Sequence, residues 1–549
     1  MLVQESSLRV IKETIPNNPQ QNIFRFEDSQ LTLSSNFDSG NISNVTRADK
    51  NFVIISITQS ILQFTMNICT DAQPFKENGT YRTWFHFRVL GVAQNETLTF
   101  NFRQMNHQSK LFLNGMKPVF LIENQMKHYR RIPGDLSFNT YYDGFSITFS
   151  HTFTQKNTED YTYFAFTYPF SYQDIINQAI QLDLEGRAME MLTISSRKNR
   201  TSNLEAMIED EVLFPHKQPQ KRPIRIDKQT VFLSARVHPG EVPSSHVLNG
   251  IINFLLQEND QQAKLLRENF VFKIIPCLNP DGVYRGYFRS DTLNQNLNRF
   301  YENPDPKLQP TIYAVKKLIL QQHELGNLKF YIDLHAHAVK KGCFIFGNNI
   351  SSNEDQLMNQ LFPKLVSMNS LNFDYVECSF NEKQPSAKEK LLDNEMTKDG
   401  CGRVCIYQET QLPQCYTLEC NYQTGRRLNH IAPRIDVRTN QKLPDPPLQD
   451  IHTKIYQEQK TPNYNPEIFE DVGQAICVAL LDYIQLNPYS RLPLSQYKNL
   501  EVYIILNLFE QFSGFEERNG SFYNWSKSLK HEQYQRIYEK HESDLNLYV

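Results

Sequence analysis

Two short segments carry residue types that bind a catalytic metal ion. Residues 237–241 read Val-His-Pro-Gly-Glu, and residues 333–335 read Asp-Leu-His. His238 and Glu241 flank a Pro-Gly turn, which lets both side chains bend back toward one point at the end of a strand. His335 ends a second apolar strand and would complete a tetrahedral zinc site with one position open to water. The two segments therefore predict an enzyme that holds one zinc ion.

Two neighbours of His335 leave alternatives open. His337 shares a strand face with His335 and competes for the metal, but we favour His335 because it ends the apolar strand. We expect His337 to form hydrogen bonds nearby or to pack. Asp333 fits an orienting role, in which its carboxylate holds a neighbouring backbone group or a histidine.

Glu419 is the candidate base for a zinc-activated water. It is the one carboxylate of residues 415–420, which read Cys-Tyr-Thr-Leu-Glu-Cys. Apolar surroundings raise the proton affinity of a carboxylate, which suits it to take a proton from water and pass it to a leaving amine. A strand-end glutamate in an ion pair is the alternative interpretation.

Polar residues between the two metal segments suit a substrate with a free carboxyl terminus. Asn298 and Arg299 combine a neutral donor with a planar cationic fork, which can hold a terminal carboxylate by two parallel hydrogen bonds. Arg289 could polarise the scissile carbonyl and stabilise its oxyanion. Each of these residues alone also fits a surface ion pair, but together they predict an exopeptidase.

The first third of the chain predicts an all-β sandwich. Between about residues 24 and 168, short aromatic and β-branched segments alternate with turns, which is typical of such a domain. The predicted strands include residues 52–57, 81–87, 97–102, 145–149 and 161–166. We assign residues 1–170 to this N-terminal domain.

From about residue 169, strands alternate with helical patterns, which predicts an α/β catalytic domain with a mixed central sheet flanked by helices. Strands are expected at residues 231–237, 270–275, 329–334, 342–346, 403–407 and 415–419, and helices at residues 311–325 and 469–486. A further helix follows Glu241, with Ser244 and Ser245 as candidate N-caps. We assign residues 171–490 to this domain and 491–549 to a C-terminal tail extension.

Composition narrows the function classes. Lys plus Arg number 57 against 60 Asp plus Glu among 549 residues, a formal charge of -3, so we expect no nucleic-acid partner. The nine cysteines include no Cys-x-x-Cys pair and are read as reduced thiols. Residues 1–5 lack the pattern of a signal peptide and no run is long enough to span a membrane, so we expect a cytoplasmic protein without a membrane partner.

The order of these candidate residues resembles that of a known enzyme family. Similar segments are residues 113–118, 164–169, 238–241, 279–283, 297–299, 333–337 and 416–419. Together they resemble zinc metallocarboxypeptidases of the carboxypeptidase A type, and more narrowly the cytosolic carboxypeptidases, which place a β-sandwich before the catalytic domain. The resemblance implies a single zinc ion held by His238, Glu241 and His335.

Finer details resemble the type-five subgroup, which removes branch-point glutamates from polyglutamylated tubulin. They are residues 418–422, residues 424–426 and Asn296, which stands where the wider family carries Asp. The resemblance implies glutamylated tubulin tails or microtubules as partner and an association with the cytoskeleton or cilium. The resemblance also implies that Arg403 faces the departing side chain and selects glutamate by charge. We also expect a monomer, which is our own expectation and does not come from the resemblance.

Two other functions remain as alternatives. An aspartoacylase-like zinc deacylase shares the metal triad and an Asn-Arg pair, but the preceding sandwich and residues 416–419 favour the peptidase. A catalytically inactive tubulin-tail binding protein is the non-enzymatic alternative, although every group that catalysis requires is present.

Overall fold

The computed structural model describes most of the two predicted domains. The described residues are 10–14, 19–26, 29–48, 61–76, 79–141, 144–154, 159–176, 187, 189–206, 224–381, 400–458 and 461–500. The predicted strand at residues 52–57 and residues 501–549 of the predicted tail lie outside them. Within them, no helix has both the length and the apolar character needed to cross a membrane.

The N-terminal part is a sandwich of two sheets. One sheet has the order β1-β2-β3-β6-β12-β8-β9, and the other has the order β10-β11-β7-β5-β4. All pairings are antiparallel except that of β5 with β7. The elements are β1 (Val10–Thr14), β2 (Asn22–Phe26), β3 (Thr32–Ser34), β4 (Asn44–Arg47), β5 (Ile61–Asn67), β6 (His86–Leu90), β7 (Thr97–Met105), α1 (Ser109–Leu113), β8 (Val119–Ile122), β9 (Arg130–Arg131), β10 (Leu136–Tyr141), β11 (Gly144–Thr152) and β12 (Thr162–Ala165).

Aromatic side chains fill the space between these two sheets. Along β7, Leu98, Phe100 and Phe102 are fully buried, while the residues between them are partly exposed. The rings of Phe102 and Phe85 stack with centroids 4.1 Å apart. The period-two pattern of the sequence therefore reflects one strand face in the core, and the predicted sandwich is confirmed.

The second part is built around a six-stranded mixed sheet of order β13-β17-β16-β18-β20-β19. The four central strands are parallel, and β13 and β19 run antiparallel at the edges. The strands of this part are β13 (Leu192–Ile194), β14 (Arg200–Leu204), β15 (Ile224–Ile226), β16 (Gln229–Ala235), β17 (Phe270–Ile275), β18 (Leu328–His337), β19 (Cys343–Phe346), β20 (Cys415–Asn421), β21 (Ile435–Asp436) and β22 (Gln441–Lys442). This sheet confirms the predicted α/β fold class.

Helices flank the mixed sheet. They are α2 (Tyr172–Ile176), α3 (Pro243–Leu255), α4 (Gln261–Asn269), α5 (Pro280–Tyr284), α6 (Pro310–Glu324), α7 (Asn353–Ser367), α8 (Gly402–Thr410), α9 (Lys454–Gln457) and α10 (Pro466–Tyr483). Helices α3 and α10 approach closely at two glycines: a Cβ at Gly250 would lie 2.2 Å from the Glu470 carbonyl oxygen, and one at Gly473 would lie 2.1 Å from that of Val247. Only glycine allows this close packing. Helix α3 in turn contacts strands β16, β18 and β20 of the mixed sheet.

Two local predictions are wrong. Residues 403–407 form part of helix α8 instead of a strand, because a short apolar run suits a buried helix as well as a buried strand. Ser244 and Ser245 do not cap α3. The helix begins at Pro243 with Val242 at the N-cap position, and the Ser244 hydroxyl donates to the Glu241 carbonyl oxygen at 2.6 Å.

Candidate active site

The candidate site lies at the carboxyl edge of the parallel strands. Strand β16 ends three residues before His238, β18 carries His335, and β20 carries Glu419. The parallel register pairs His335 directly with Glu419 and places Ala235 beside Leu334. Because parallel strands end at the same edge of a sheet, these side chains meet there.

A tight turn brings Glu241 back toward His238. The Glu241 N–H donates to the His238 carbonyl oxygen at 3.2 Å, and the Gly240 N–H donates to the Phe288 carbonyl oxygen at 2.8 Å. A Cβ at Gly240 would lie 2.5 Å from Cδ2 of Phe288 and 2.9 Å from its carbonyl oxygen. Glycine is therefore required for the turn to pack against the loop that contains Phe288.

His238, Glu241 and His335 converge on one point. One potential ligand atom from each lies within 4.8 Å of the others, and all three residues are buried. Nδ1 of His238 lies 2.8 Å from Oε1 of Glu241, and Nδ1 of His335 lies 2.9 Å from Oε2 of Glu241. A zinc ion with bonds of about 2 Å fits a cluster of this size, and two imidazoles with one carboxylate are a donor set of catalytic zinc sites.

The outer nitrogens of both histidines are held by oxygen acceptors. Nε2 of His238 donates to Oδ1 of Asn296 at 2.9 Å, and Nε2 of His335 donates to Oδ2 of Asp333 at 2.7 Å. These bonds fix the tautomer that leaves each Nδ1 facing the cluster. The Asp333 carboxylate thus takes the orienting position that the sequence suggested.

The charges of the cluster suit a divalent cation. Burial would raise the pKa of Glu241, but His238 and His335 outweigh burial and hold that pKa well below its usual value. Burial lowers the pKa of His238, and Arg289 lowers it further. Burial would also lower the pKa of His335, yet Asp333 and Glu241 outweigh burial and raise it well above its usual value. An ionised Glu241 is therefore held between His238 and His335.

Glu419 lies beside this cluster, paired in the sheet register with His335. Its Oε2 is buried and accepts no hydrogen bond from any described residue. Burial raises the pKa of Glu419 to about 8; the Glu241 charge adds to the rise, while His335 and Arg289 oppose it. A carboxylate with a high proton affinity next to the metal ligands matches the requirements of a general base.

Arg289 reaches the site from a loop. Its Nη1 lies 3.6 Å from Oε1 of Glu241, and its guanidinium lies over the Tyr81 ring, 5.8 Å from the centroid. The side chain is 24% exposed. The structure thus brings a partly exposed Arg289 guanidinium to the edge of the cluster, next to Glu241.

Asn298 and Arg299 lie in a 3-10 helix (Leu297–Arg299) next to His335. Nδ2 of Asn298 lies 3.4 Å from Nε2 of His335, and its Oδ1 accepts from the Gly402 N–H at 3.0 Å. Nη1 of Arg299 donates to the Asn298 carbonyl oxygen at 2.8 Å. Both residues are buried next to His335, and their binding of a substrate carboxylate stays a prediction.

Arg403 is the second residue of helix α8 and follows Gly402, which contacts Asn298. Its Nη1 donates to the Gly347 carbonyl oxygen at 2.6 Å and to Oδ1 of Asn348 at 2.5 Å. These bonds orient the guanidinium, but none of them joins it to the metal cluster. Its proposed role as the selector of glutamate stays a prediction.

His337 does not join the cluster. Its Nδ1 accepts from the backbone N–H groups of Val339 and Lys340 at 3.1 and 2.8 Å. It thus stabilises the turn after β18, in line with the expectation that it forms hydrogen bonds nearby.

The sequence did not point to Asp71, which comes from the sandwich and contacts the loop of Arg289. Its carboxylate accepts hydrogen bonds from backbone N–H groups of residues 288–290. Backbone donors have no residue-type signature, so no motif marks this contact.

Comparison with known proteins places both parts of the chain. A family model described as zinc carboxypeptidase matches residues 183–419, and one described as cytosolic carboxypeptidase N-terminal domain matches residues 33–166. The chain is 31% identical to cytosolic carboxypeptidase-like protein 5 of Danio rerio, over 85% of this chain and 66% of that protein. For the rat protein of the same name the identity is 31%, over 86% of this chain and 70% of that protein. Human cytosolic carboxypeptidase 6 is 27% identical, over 86% and 83%.

The chain spans about two thirds of the length of the first of these relatives. Among solved structures, a metallo-carboxypeptidase from Burkholderia cenocepacia has a TM-score of 0.54 and 21% identity, over 82% of this chain and 98% of that one. One from Pseudomonas aeruginosa has a TM-score of 0.53 and 17% identity, over 82% and 98%. These structures share the fold described above.

Proposed function

The chain belongs to the cytosolic carboxypeptidase family of zinc carboxypeptidases, and on this premise we propose that it is a zinc-dependent carboxypeptidase that removes glutamate from glutamylated proteins, chiefly from tubulin tails. The observation that carries the proposal is the convergence of the His238, Glu241 and His335 donors beside Glu419, whose Oε2 is buried and accepts no hydrogen bond from the described residues. The roles of the surrounding residues follow from their positions around this cluster.

Zinc, when bound by these three residues, supplies a Lewis acid that makes a water nucleophilic near neutral pH and polarises the scissile carbonyl. Glu419 accepts the proton of the attacking water and delivers it to the leaving amine. Arg289, which lies next to Glu241 in the cluster, stabilises the negative charge that develops on the carbonyl oxygen. Both residues act on the transition state, so their loss reduces kcat more than it affects KM.

Recognition of the substrate rests on Asn298, Arg299 and Arg403. Asn298 and Arg299 hold the free α-carboxylate of the terminal residue, which restricts the enzyme to chain ends. Arg403, held against Gly347 and Asn348, pairs with the side-chain carboxylate of the departing glutamate. The resemblance of residues 418–422 and 424–426 to the type-five subgroup implies branch-point cleavage, in which the departing glutamate is joined through the side-chain carboxyl of a tail glutamate.

The partners that fit this activity are glutamylated tubulin tails or microtubules, with the protein in the cytoplasm and associated with the cytoskeleton or cilium. A monomer suffices, because every proposed site residue comes from one chain. The family name, cytosolic carboxypeptidase, supports the cytoplasmic location.

Purified protein incubated with synthetic tail peptides tests the proposal. One peptide carries a single glutamate on a side-chain carboxyl, one carries a long glutamate branch, and a third ends in lysine; mass spectrometry follows the products. We expect loss of the single branch glutamate and no cleavage of the lysine peptide. The Glu419→Gln variant at equal concentration is the matched control for a contaminating peptidase.

The other outcomes separate the remaining functions. If the enzyme shortens the long branch but leaves its last glutamate attached, the activity is chain shortening and not branch-point cleavage. Tight peptide binding without any product would indicate an inactive tail-binding protein, and hydrolysis of N-acyl amino acids in place of peptides would indicate a deacylase.

A further inference from the structure

The β-sandwich reaches the candidate active site through the segment between Asp71 and Tyr81. The Tyr287 hydroxyl donates to the Gln73 carbonyl oxygen at 2.8 Å. The side chain of Asn294 exchanges hydrogen bonds with Thr80, at 3.2 Å each. The sandwich thus contacts the loop of residues 287–294 near both of its ends.

Asp71 holds the middle of this loop. Its Oδ1 accepts from the Phe288 N–H at 2.7 Å, and its Oδ2 accepts from the N–H groups of Arg289 and Ser290 at 2.7 and 2.8 Å. Asp71 is 2% exposed, and its own N–H donates to the Tyr81 carbonyl oxygen at 2.7 Å. Three successive N–H groups on one buried carboxylate form a charge-assisted anchor.

The anchored backbone includes that of Arg289, the residue proposed above to stabilise the oxyanion. The Arg289 side chain is partly exposed and extends toward Glu241, with the Tyr81 ring beneath it. A long arginine side chain stabilises an oxyanion only if its backbone is fixed to within a fraction of an ångström. Phe288 also accepts the N–H of Gly240 in the metal-binding turn, so the same loop contacts both halves of the site.

We propose that Asp71 is a positioning residue for catalysis: the sandwich uses this carboxylate to fix residues 288–290 so that Arg289 meets the developing oxyanion. The inference rests on the proposed carboxypeptidase function and deepens it, because it makes the N-terminal sandwich a part of the catalytic machinery. Asp71 itself does not touch the substrate.

Asp71→Asn in the full chain tests the proposal, because the amide keeps the shape but turns an N–H₂ group toward at least one backbone donor. We expect kcat to fall by about 10- to 100-fold, up to the loss typical of one oxyanion donor. KM should change less than about twofold, because Arg289 acts in the transition state, and zinc content should stay at one ion per chain. In an Arg289→Ala background, the same substitution should change kcat by less than about twofold, since coupled residues are not additive.

Asp38→Asn is the matched control. Asp38 is a half-buried carboxylate of the same sandwich, and it accepts the N–H of Gln173 in helix α2 at 2.6 Å instead of an N–H of residues 288–290. It should leave kcat and KM at wild-type values. The proposal would be overturned if Asp38→Asn lowered kcat as much as Asp71→Asn does. It would also be overturned if Asp71→Asn lowered kcat as much in the Arg289→Ala background as in the wild type.

Two further measurements keep the test decisive. Hydrogen exchange at the amides of residues 288–290 should quicken in Asp71→Asn while residues 238–241 keep their protection. Unchanged exchange at residues 288–290 would reject the inference, and this test does not depend on peptide cleavage. If the wild-type protein cleaves no peptide, that result rejects only the proposed function. If Asp71→Asn does not fold, Tyr287→Phe removes a single bond between the same segments. That variant should lower kcat a few-fold with KM unchanged, and wild-type kcat would count against the proposal.

Discussion

Replacement of Glu419 by glutamine should abolish turnover and yet stabilise the metal-free protein. Glutamine has nearly the shape of glutamate, so the packing of β20 beside His335 is kept and the three zinc ligands are untouched. Loss of a general base lowers kcat by about 10²- to 10⁴-fold. Zinc should still bind at one ion per chain.

The gain in stability follows from the pKa of Glu419. In the unfolded chain the group ionises near its ordinary value of 4.5, whereas burial raises the pKa to about 8 in the folded, metal-free protein. At pH 7 the folded state therefore holds a proton that the unfolded state has released, which at about 1.4 kcal/mol per pKa unit costs roughly 3 kcal/mol. Because this group binds its proton more tightly when folded, the cost is absent below about pH 4.5, grows as the pH rises, and levels off above about pH 8.

Urea unfolding of the metal-free proteins between pH 4 and pH 9 measures this difference. The Glu419→Gln variant should gain up to roughly 3 kcal/mol over the wild type at pH 7, and the gain should vanish near pH 4. Glu458→Gln, which removes an exposed ion pair with Lys454, is the control and should change stability by about 0.5 kcal/mol or less. If the Glu419→Gln protein is less stable than wild type at pH 7, or keeps normal turnover, Glu419 is a structural ion-pair partner and not a desolvated base.

Three further changes have defined outcomes. Asn296→Asp should tighten zinc binding by about 10-fold in a chelator competition, because a carboxylate makes His238 a more basic ligand than the present amide does; equal affinity would mean that this contact does not tune the metal. Arg403→Glu should lower kcat/KM for a C-terminal glutamate at least about 10-fold while the exposed control Arg438→Glu does not, and unchanged selectivity would remove Arg403 from the pocket. Prolonged dialysis against a chelator should abolish turnover and lower the melting temperature, and one equivalent of zinc should restore both; full activity without metal would refute the zinc mechanism.

The positions of the metal ligands could be predicted because they depend on strand ends. The runs that precede His238 and His335 are buried along nearly their whole length, as central parallel strands are. The carboxyl ends of such strands meet at one edge, so residue types with metal-binding chemistry at those ends converge. Glu419 follows the same rule on the neighbouring strand.

The element that carries Arg403 could not be predicted in this way. Residues 403–407 are apolar apart from one arginine, and a run of five has no periodicity that separates strand from helix. Tertiary packing surrounds the start of α8: a Cβ at Gly402 would lie 2.6 Å from the Tyr331 hydroxyl and 3.0 Å from Cζ of Tyr301, so a side chain does not fit at this position. Such a contact is visible only once β18 and the loop of Tyr301 are in place.

The contacts between the sandwich and the site could be predicted from the sequence even less. Asp71 and Arg289 are 218 positions apart, and the carboxylate binds backbone N–H groups that any non-proline residue would offer. Three residues that adjoin the site, Val242, Ala336 and Tyr422, pack into the core of the sandwich and not into that of the mixed sheet. Each of them lies within three positions of a metal ligand or of Glu419, so the apolar core of one domain fixes the backbone on which the chemistry of the other depends. On these contacts, the sandwich packs directly against the segments that carry the candidate site and is not structurally independent of them.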